Sequence, residues 1–416
     1  MHIGKVILLI VIVFLVPEIH AQVSISISDE EDQVYVTAVA WSHEGSKIVS
    51  VGLQFGGLRG FLQVFDLATN ETLYMLHPEP GGFASVAWSP DDRYIAAGGY
   101  DQVIWVIDVI AREHVATLQG HQSTVSAVNW NVDGTRLVSG GNWDQFVVLW
   151  DMTTYTELRR IEAGDIRSVA YSPDNRQIAV GSLFGLGIFP ASLDTSGINE
   201  PLPMWFSSLD IASVAWSHDG TRIAFGTLTT PSVTNPNMQR LARVYVLNRN
   251  NGTLLKDFAT QTEAIFGLTW SPDDQLIATY SIDGSVNVWD VPSGVELGQF
   301  AGTNVFPADL NFSPYGGRLA YGLAINPAQQ RQGASLLSHG IAIVVPISSL
   351  DRLNTIADAC LRDANTSLVP HNTVLRAESA AELPALITQV EALPAEAIPA
   401  ACAADLVAVA RAIIGG

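Results

Sequence analysis

The chain has 416 residues and a formal charge of −20, from 41 acidic and 21 basic residues. Non-specific binding to nucleic acid needs clustered Lys and Arg side chains that neutralise phosphates, and the sequence contains no such cluster. Nucleic acid and anionic membrane surfaces are therefore excluded as expected partners.

The first 21 residues have the pattern of a secretory signal. Lys5 precedes an apolar run over residues 6–16, and Ala21 offers a small residue for cleavage. The run is shorter than the roughly 20 apolar residues of a membrane-spanning helix. We therefore expect residues 1–21 to be a signal peptide, with an uncleaved anchor as the alternative. The mature protein would then be exported, to a periplasm, a cell surface or the medium, without an integral membrane span.

Beyond residue 30 one short sequence pattern occurs seven times: an apolar run, an aromatic residue, a polar residue and a turn. The aromatic residues of the seven units are Trp41, Trp88, Trp130, Tyr171, Trp216, Trp270 and Phe312. A period near 40–45 residues with four strand-like runs per unit is typical of propeller blades. We predict an all-β fold, a seven-bladed β-propeller over residues 22–348.

The second unit shows the four strands most clearly. The predicted strands are Phe83–Ser89, Tyr94–Gly98, Val103–Val109 and His114–Leu118. Residues 90–92 between the first two strands are Pro-Asp-Asp, which is turn chemistry because Pro presets φ and Asp bonds back to the backbone.

The third strands carry a family resemblance. Trp150-Asp151 and Trp289-Asp290 look like the dipeptide that names the WD40 repeat, and Gly120-His121 stands where that family places its Gly-His pair. The Ser-Pro-Asp turns are also similar to those of exported propellers of the Tol system. The WD40 resemblance implies a structural tetrad in the third blade, formed by His121, Ser139, Asp144 and Trp150. Two departures from the family pattern stand beside the resemblance: only the third unit carries the complete tetrad, and the fourth, fifth and seventh units lack the Asp after the third strand.

The two ends of the chain complete the predicted architecture. Residues 22–28 alternate polar and apolar side chains, so we expect a strand that docks on the last blade and closes the ring. Residues 349–416 have helical periodicity and form a predicted small helical appendage. Its predicted segments are 350–364, 384–393 and 399–414. Cys360 and Cys402 are the two cysteines, and export would favour a disulfide between them.

The sequence contains no motif for nucleophilic catalysis, metal binding or phosphate binding. We therefore expect no cofactor, no metal and no catalytic residue. Two alternatives stay open: a hydrolase or lyase that uses the axial channel, and a module that binds a sugar or small molecule there.

One face of the predicted propeller carries aromatic side chains that the fold does not require. Trp143 lies in the loop between the second and third strands of its blade, and neighbouring loops offer equivalent aromatic residues. The predicted ligand face consists of Phe55, Tyr100, Trp143 and Phe184, flanked by Arg59 and Arg167. Exposed aromatic patches mark interaction sites, whereas rings that fold over their own loops would be structural. We predict a monomeric scaffold that binds a protein or peptide ligand through this face.

Overall fold

A computed structural model describes the protein over most of the repeat region and part of the C-terminal region. The described residues are 23–27, 33–55, 59–78, 81–193, 209–228, 242–259, 264–281, 284–300, 305–325, 340–346, 383–393 and 398–415. Within them the strands form seven antiparallel sheets, arranged as an all-β propeller.

The first strand of the chain, β1 (Val23–Ile27), joins the last sheet, and the other strands follow in chain order. Sheet 1 contains β2 (Gln33–Trp41), β3 (Lys47–Phe55), β4 (Arg59–Asp66) and β5 (Glu71–Leu76). Sheet 2 contains β6 (Phe83–Trp88), β7 (Tyr94–Gly99), β8 (Val103–Asp108) and β9 (Glu113–Gln119). Sheet 3 contains β10 (Val125–Trp130), β11 (Arg136–Gly141), β12 (Phe146–Asp151) and β13 (Thr156–Glu162).

The remaining sheets follow the same order. Sheet 4 contains β14 (Ile166–Tyr171), β15 (Gln177–Ser182) and β16 (Gly185–Pro190). Sheet 5 contains β17 (Ile211–Trp216), β18 (Arg222–Thr227), β19 (Arg243–Asn248) and β20 (Leu254–Ala259). Sheet 6 contains β21 (Ile265–Trp270), β22 (Leu276–Ser281), β23 (Val286–Asp290) and β24 (Glu296–Phe300). Sheet 7 contains β25 (Val305–Phe312), β26 (Arg318–Ile325), β27 (Gly340–Pro346) and β1.

β1 pairs antiparallel with β27, a strand of the last sheet, as the alternation in residues 22–28 leads us to expect of an N-terminal strand. Val23 lies opposite Val344, and Ile27 lies opposite Gly340. The N-terminal strand thereby covers the edge of β27, which would otherwise expose unpaired backbone groups.

The aromatic residue of each unit ends the inner strand of its sheet and is buried against the preceding sheet. Where it is Trp, the indole N–H donates to a backbone carbonyl of that neighbour. The five bonds are Trp41 to Asn311, Trp88 to Ala40, Trp130 to Ala87, Trp216 to Ala170 and Trp270 to Ala215, at 3.1–3.3 Å. Each acceptor lies one residue before the aromatic residue of its own unit. The repeated sequence pattern therefore contains both the donor and the acceptor of the hydrogen bonds between sheets.

Glycines on the second strands allow neighbouring sheets to approach closely. A Cβ at Gly140 would lie 2.3 Å from Ile166 Cγ2, and one at Gly226 would lie 2.5 Å from Ile265 Cγ2. Packing between sheets therefore requires glycine at these two positions.

Two helices lie in the described C-terminal part, α1 (Leu383–Glu391) and α2 (Ala400–Gly415). They pack together through buried Leu386 and Leu406, and Tyr315 of sheet 7 packs on the same cluster. They match the predicted segments 384–393 and 399–414, whereas 350–364 lies outside the described residues. Neither helix is long and apolar enough to cross a membrane, and none in the described part is.

Candidate functional site

The antiparallel order of the strands divides the connections between two faces. Second strands end, and third strands begin, on one side, where the described connections between them and from one sheet to the next also lie; we call this side the upper face. Turns from first to second strands and from third to fourth strands lie on the opposite side, the lower face.

Three aromatic residues of the predicted ligand face are exposed on the upper face. The exposed fractions are 46% for Tyr100, 76% for Trp143 and 55% for Phe184. Phe184 rests on Gly164, since a Cβ there would lie 2.4 Å from its ring. Phe55 ends β3, and its side chain lies outside the described residues. Local packing therefore covers part of Phe184 but leaves Trp143 open to solvent.

The backbone under Trp143 is tied to the next sheet. Its N–H donates to Asp165 Oδ1 at 2.9 Å, and its φ of 71° lies in the left-handed region. A non-glycine residue at positive φ is held there by its surroundings. The exposed indole therefore extends from a turn whose backbone conformation is fixed.

The two predicted arginines differ in their surroundings. Arg167 Nε lies 2.9 Å from Asp210 Oδ1, in an ion pair at the upper end of the axial channel. Burial raises the pKa of Asp210, the Arg167 guanidinium opposes that rise, and Asp165 adds to it. Because Asp210 neutralises Arg167, that side chain is not a free cation for an acidic ligand. Arg59 is exposed at the start of β4.

The axial channel has a volume of about 710 Å³ and runs between the inner strands. Each inner strand carries a β-bulge at the same place, and its extra residue lines the channel. Bulges turn a side chain out of the ladder and recur beside functional sites. In sheets 1 to 6 the extra residues are Thr37, Ala84, Ser126, Arg167, Ala212 and Phe266. In sheet 7 the bulge spans Ala308 and Asp309, of which Asp309 lines the channel. We call the channel-lining residues of the seven bulges the bulge ring.

Asp309 is the unusual member of the bulge ring. Its φ is 105°, and its carboxylate accepts hydrogen bonds from the backbone N–H groups of Leu310, at 2.9 Å, and Val39. Burial raises the pKa of Asp309 to about 7. Burial and the charge of Asp309 also raise the pKa of Tyr280, which lines the same channel. In its protonated form Asp309 can donate a hydrogen bond to a molecule in the channel. The described residues contain no cluster of His, Cys, Asp or Glu that could hold a metal ion.

The four residues of the implied tetrad lie together at sheet 3: Ser139 is on β11 and Trp150 on β12, Asp144 lies in the loop between those strands, and His121 precedes β10. His121 Nδ1 is 2.7 Å from Asp144 Oδ2, and His121 Nε2 is 2.7 Å from Ser139 Oγ. Trp150 Nε1 donates to the same Ser139 Oγ at 2.8 Å. Burial alone would raise the pKa of Asp144, but hydrogen bonds from His121 and from backbone N–H groups hold it below its usual value. The His121–Asp144 pair is therefore used structurally, within the sheet.

These features define a β-propeller repeat protein whose inner strands surround a channel. The family model described as WD domain, G-beta repeat matches residues 71–108, 112–151 and 252–290. Each match runs from an outer strand through the three inner strands of the following sheet. The chain therefore contains WD40 repeats.

Relatives of the chain include WD-repeat proteins of eukaryotes. The chain is 24% identical over 277 residues to WD repeat-containing protein slp1 of Schizosaccharomyces pombe, covering 65% of this chain and 52% of that protein. It is 28% identical over 169 residues to anaphase-promoting complex subunit cdc20 of Dictyostelium discoideum, covering 40% and 30%. It is 31% identical over 130 residues to transcription factor unc-37 of Caenorhabditis elegans, covering 31% and 21%. The chain spans about half the length of these relatives or less.

The relatives overturn the predicted location. A transcription factor and a subunit of the anaphase-promoting complex work inside cells, so the expectation of a periplasmic, secreted or surface protein is wrong. The prediction depended only on a Lys, a short apolar run and a small residue for cleavage. Residues 1–22 lie outside the described residues. None of these relatives supports the likeness to exported Tol-system propellers.

Sequence reasoning missed Asp309, although a signal was present. At its position before the repeated apolar pair, the other six units have Ala, Ser or Gly. A carboxylate where the six equivalent positions hold small residues was the signal that the sequence offered.

Proposed function

We propose that the chain is a non-catalytic scaffold whose upper face binds a protein or peptide ligand. The observation that carries this proposal is Trp143, which is 76% exposed on a turn whose backbone is fixed by Asp165. Trp and Tyr side chains dominate binding hot spots because they bury a large area at a low cost in conformational entropy.

The relatives support the same class of role. One is named as a subunit of the anaphase-promoting complex, so that relative belongs to an assembly of proteins. The present chain would bind a partner of its own through Tyr100, Trp143 and Phe184, with Phe55 at the margin and Arg59 nearby.

We also assign the seven sheets to one closed seven-bladed ring over residues 22–348, with 349–416 as a C-terminal helical region. The bond from Trp41 in sheet 1 to Asn311 in sheet 7 supports closure. The Cys360–Cys402 disulfide stays a prediction: Cys402 is buried on α2, Cys360 lies outside the described residues, and the argument from export no longer applies. The monomeric state also stays a prediction.

Affinity capture with matched variants tests the proposed face. Full-length protein, Trp143→Ala and Ile110→Ala would be used as bait in extract of the source organism, with bound proteins quantified by mass spectrometry. Ile110 is the control because it is 79% exposed but lies on the lower face, between β8 and β9.

The expected result is a set of proteins captured by the wild type and by Ile110→Ala and lost with Trp143→Ala. Binding of a purified member of that set should then weaken at least tenfold, as expected of a hot-spot aromatic side chain. Full retention of every captured protein by folded Trp143→Ala contradicts the proposal.

A second candidate rests on Asp309, whose carboxyl group lies in the wall of a channel large enough for a small molecule. If Trp143→Ala retains its partners while Asp309→Asn alters binding of a small polar compound such as a sugar, the channel is the functional site.

A further inference from the structure

The turns between first and second strands share a local hydrogen-bond pattern. In sheets 2 to 6 the third turn residue is Asp, and its carboxylate accepts from the side chain of the first residue and the N–H of the fifth. The side-chain bonds are Ser89–Asp91 at 2.6 Å, Asn131–Asp133 at 2.6 Å, Ser172–Asp174 at 2.6 Å, Ser217–Asp219 at 2.6 Å and Ser271–Asp273 at 2.5 Å. The bonds to the fifth residue span 2.8–3.3 Å. In sheet 1 the acid is Glu44, which bonds Ser46 instead.

Sheet 7 lacks this acid, because its third turn residue is Tyr315. Both donors of the pattern are nevertheless satisfied by one carboxylate from α2. Ser313 Oγ donates to Asp405 Oδ2 at 2.5 Å, and Gly317 N–H donates to the same oxygen at 3.1 Å. Asp405 is fully buried and stands 92 positions after Ser313.

The same turns also join the sheets in pairs. Sheets 1, 3 and 5 have a non-proline second turn residue, which keeps its N–H, and Gly at the fourth position. Sheets 2, 4 and 6 have Pro at the second position and Asp or Asn at the fourth. The side chain at the fourth position accepts from the turn of the preceding sheet. The bonds are His43 N–H to Asp92 at 2.6 Å, Val132 N–H to Asn175 at 2.9 Å and His218 N–H to Asp274 at 2.7 Å.

The turn of sheet 7 can neither donate nor accept the hydrogen bond that joins the turns of paired sheets. Pro314 has no N–H to donate, and Gly316 has no side chain to accept. Sheets 1 to 6 therefore form three bonded pairs, and sheet 7 is the odd one. Its turn is completed by a helix instead of by a neighbouring sheet.

The bond to α2 also reaches the boundary between sheets 7 and 1. Arg318 Nε donates to Asp405 Oδ1, and the Arg318 guanidinium lies 4.9 Å from the ring centre of Trp41. The Trp41 indole in turn donates to Asn311 in sheet 7. Asp405, Arg318 and Trp41 thus form one connected set across the place where the ring closes.

We propose that the lower turn of sheet 7 is a carboxylate-binding site, which α2 of the same chain occupies with Asp405. We call α1 and α2 the latch. The latch supplies the turn acid that sheet 7 lacks and stabilises the boundary between sheets 7 and 1. This makes the C-terminal helices an integral part of the propeller.

Hydrogen–deuterium exchange on full-length protein tests the latch with a matched pair of variants. Ser313→Ala removes the hydroxyl that binds Asp405, and Ser271→Ala removes the same hydroxyl where the acid is the local Asp273. We expect Ser313→Ala to raise amide exchange in α1 and α2 by about tenfold, the order that a lost hydrogen bond to a charged group implies. Ser271→Ala should leave the helices unchanged. Equal effects of the two variants on the helices, or no effect of Ser313→Ala, overturn the proposal.

If Ser313→Ala fails to fold, substitutions of Asp405 and Tyr315 give a second test. Asp405→Ala removes the carboxylate from the turn of sheet 7, and Asp405→Ala combined with Tyr315→Asp restores a carboxylate at the third turn position. Asp405→Ala should speed exchange of the Gly317 amide, and the double variant should restore its protection while α2 still exchanges faster than in the wild type. Equal exchange of Gly317 in the two variants shows that this turn needs no carboxylate, which overturns the proposal.

Discussion

Replacing Ser139 with Ala removes one hydroxyl from the hydrogen-bonded chain inside sheet 3 and leaves the shape of the core nearly unchanged. Ser139 is fully buried, and its Oγ is bonded to both His121 and Trp150. The substitution therefore leaves two buried polar groups without that partner.

The magnitude follows from those two groups. An unpaired buried polar group costs about 1–3 kcal/mol, and His121 keeps its bond to Asp144. We expect Ser139→Ala to lower the free energy of unfolding by about 2–4 kcal/mol, a large share of the roughly 5–15 kcal/mol of a typical domain. Thr279→Val in sheet 6 is the matched control. Thr279 Oγ1 accepts from Trp289 Nε1 at 3.2 Å, so loss of this bond should cost about 1 kcal/mol.

Urea denaturation followed by tryptophan fluorescence measures both variants, and hydrogen exchange shows whether the loss is centred on sheet 3. A Ser139→Ala protein that unfolds at the same urea concentration as the wild type, or that loses no more stability than Thr279→Val, would refute the reasoning. The tetrad would then be a geometric coincidence without energetic weight.

Three further outcomes follow from the described contacts. Trp88→Phe removes an indole bond to the preceding sheet and should lower the free energy of unfolding by about 1 kcal/mol in urea, whereas Tyr171→Phe should be near neutral because that hydroxyl has no partner among the described residues. Burial raises the pKa of Asp309 to about 7, so the folded protein holds this proton more tightly than the unfolded chain does. The free energy of unfolding should therefore fall between about pH 4 and pH 7 and level off above, and Asp309→Asn should abolish that slope in denaturation at pH 5 and pH 8. Gly140→Ala places a Cβ against Ile166 Cγ2 and should lower the melting temperature; because Ile166→Ala removes that methyl group, Gly140→Ala should cost less in a protein that already carries Ile166→Ala.

The repeat made much of the fold predictable. The four strands of sheet 2 fall within one or two residues of their predicted bounds, because each strand has period-two alternation and each turn carries Pro, Asp or Gly. The docking of β1 was also readable, since a strictly alternating strand with no partner nearby must pair elsewhere. His121, Ser139, Asp144 and Trp150 were identifiable as a set because a repeat family fixes their spacing.

Contacts between distant parts of the chain were not predictable in the same way. Asp405 is one acid in an Ala-rich helical segment, and only the position of α2 against sheet 7 shows that it replaces the residue missing at Tyr315. Arg167 illustrates the same limit, because its charge is visible in the sequence but its neutralisation by Asp210, 43 positions later, is not. Exposure of Trp143 depends on whether an aromatic ring in a loop turns outward or inward, which residue type alone leaves open.

Most residues of a β-sheet must both pair in the backbone ladder and pack their side chains, whereas a residue of the bulge ring does not pair in the ladder. Each inner strand leaves one residue unpaired in the ladder, so Ala84 and Phe266 differ greatly in size although the strands around them share the same register shift. Substitution at these places changes the bore and polarity of the channel without disturbing the tryptophan bonds between sheets. Relatives built on this plan can therefore diversify what enters the axis one side chain at a time, while the frame that encloses it stays constant.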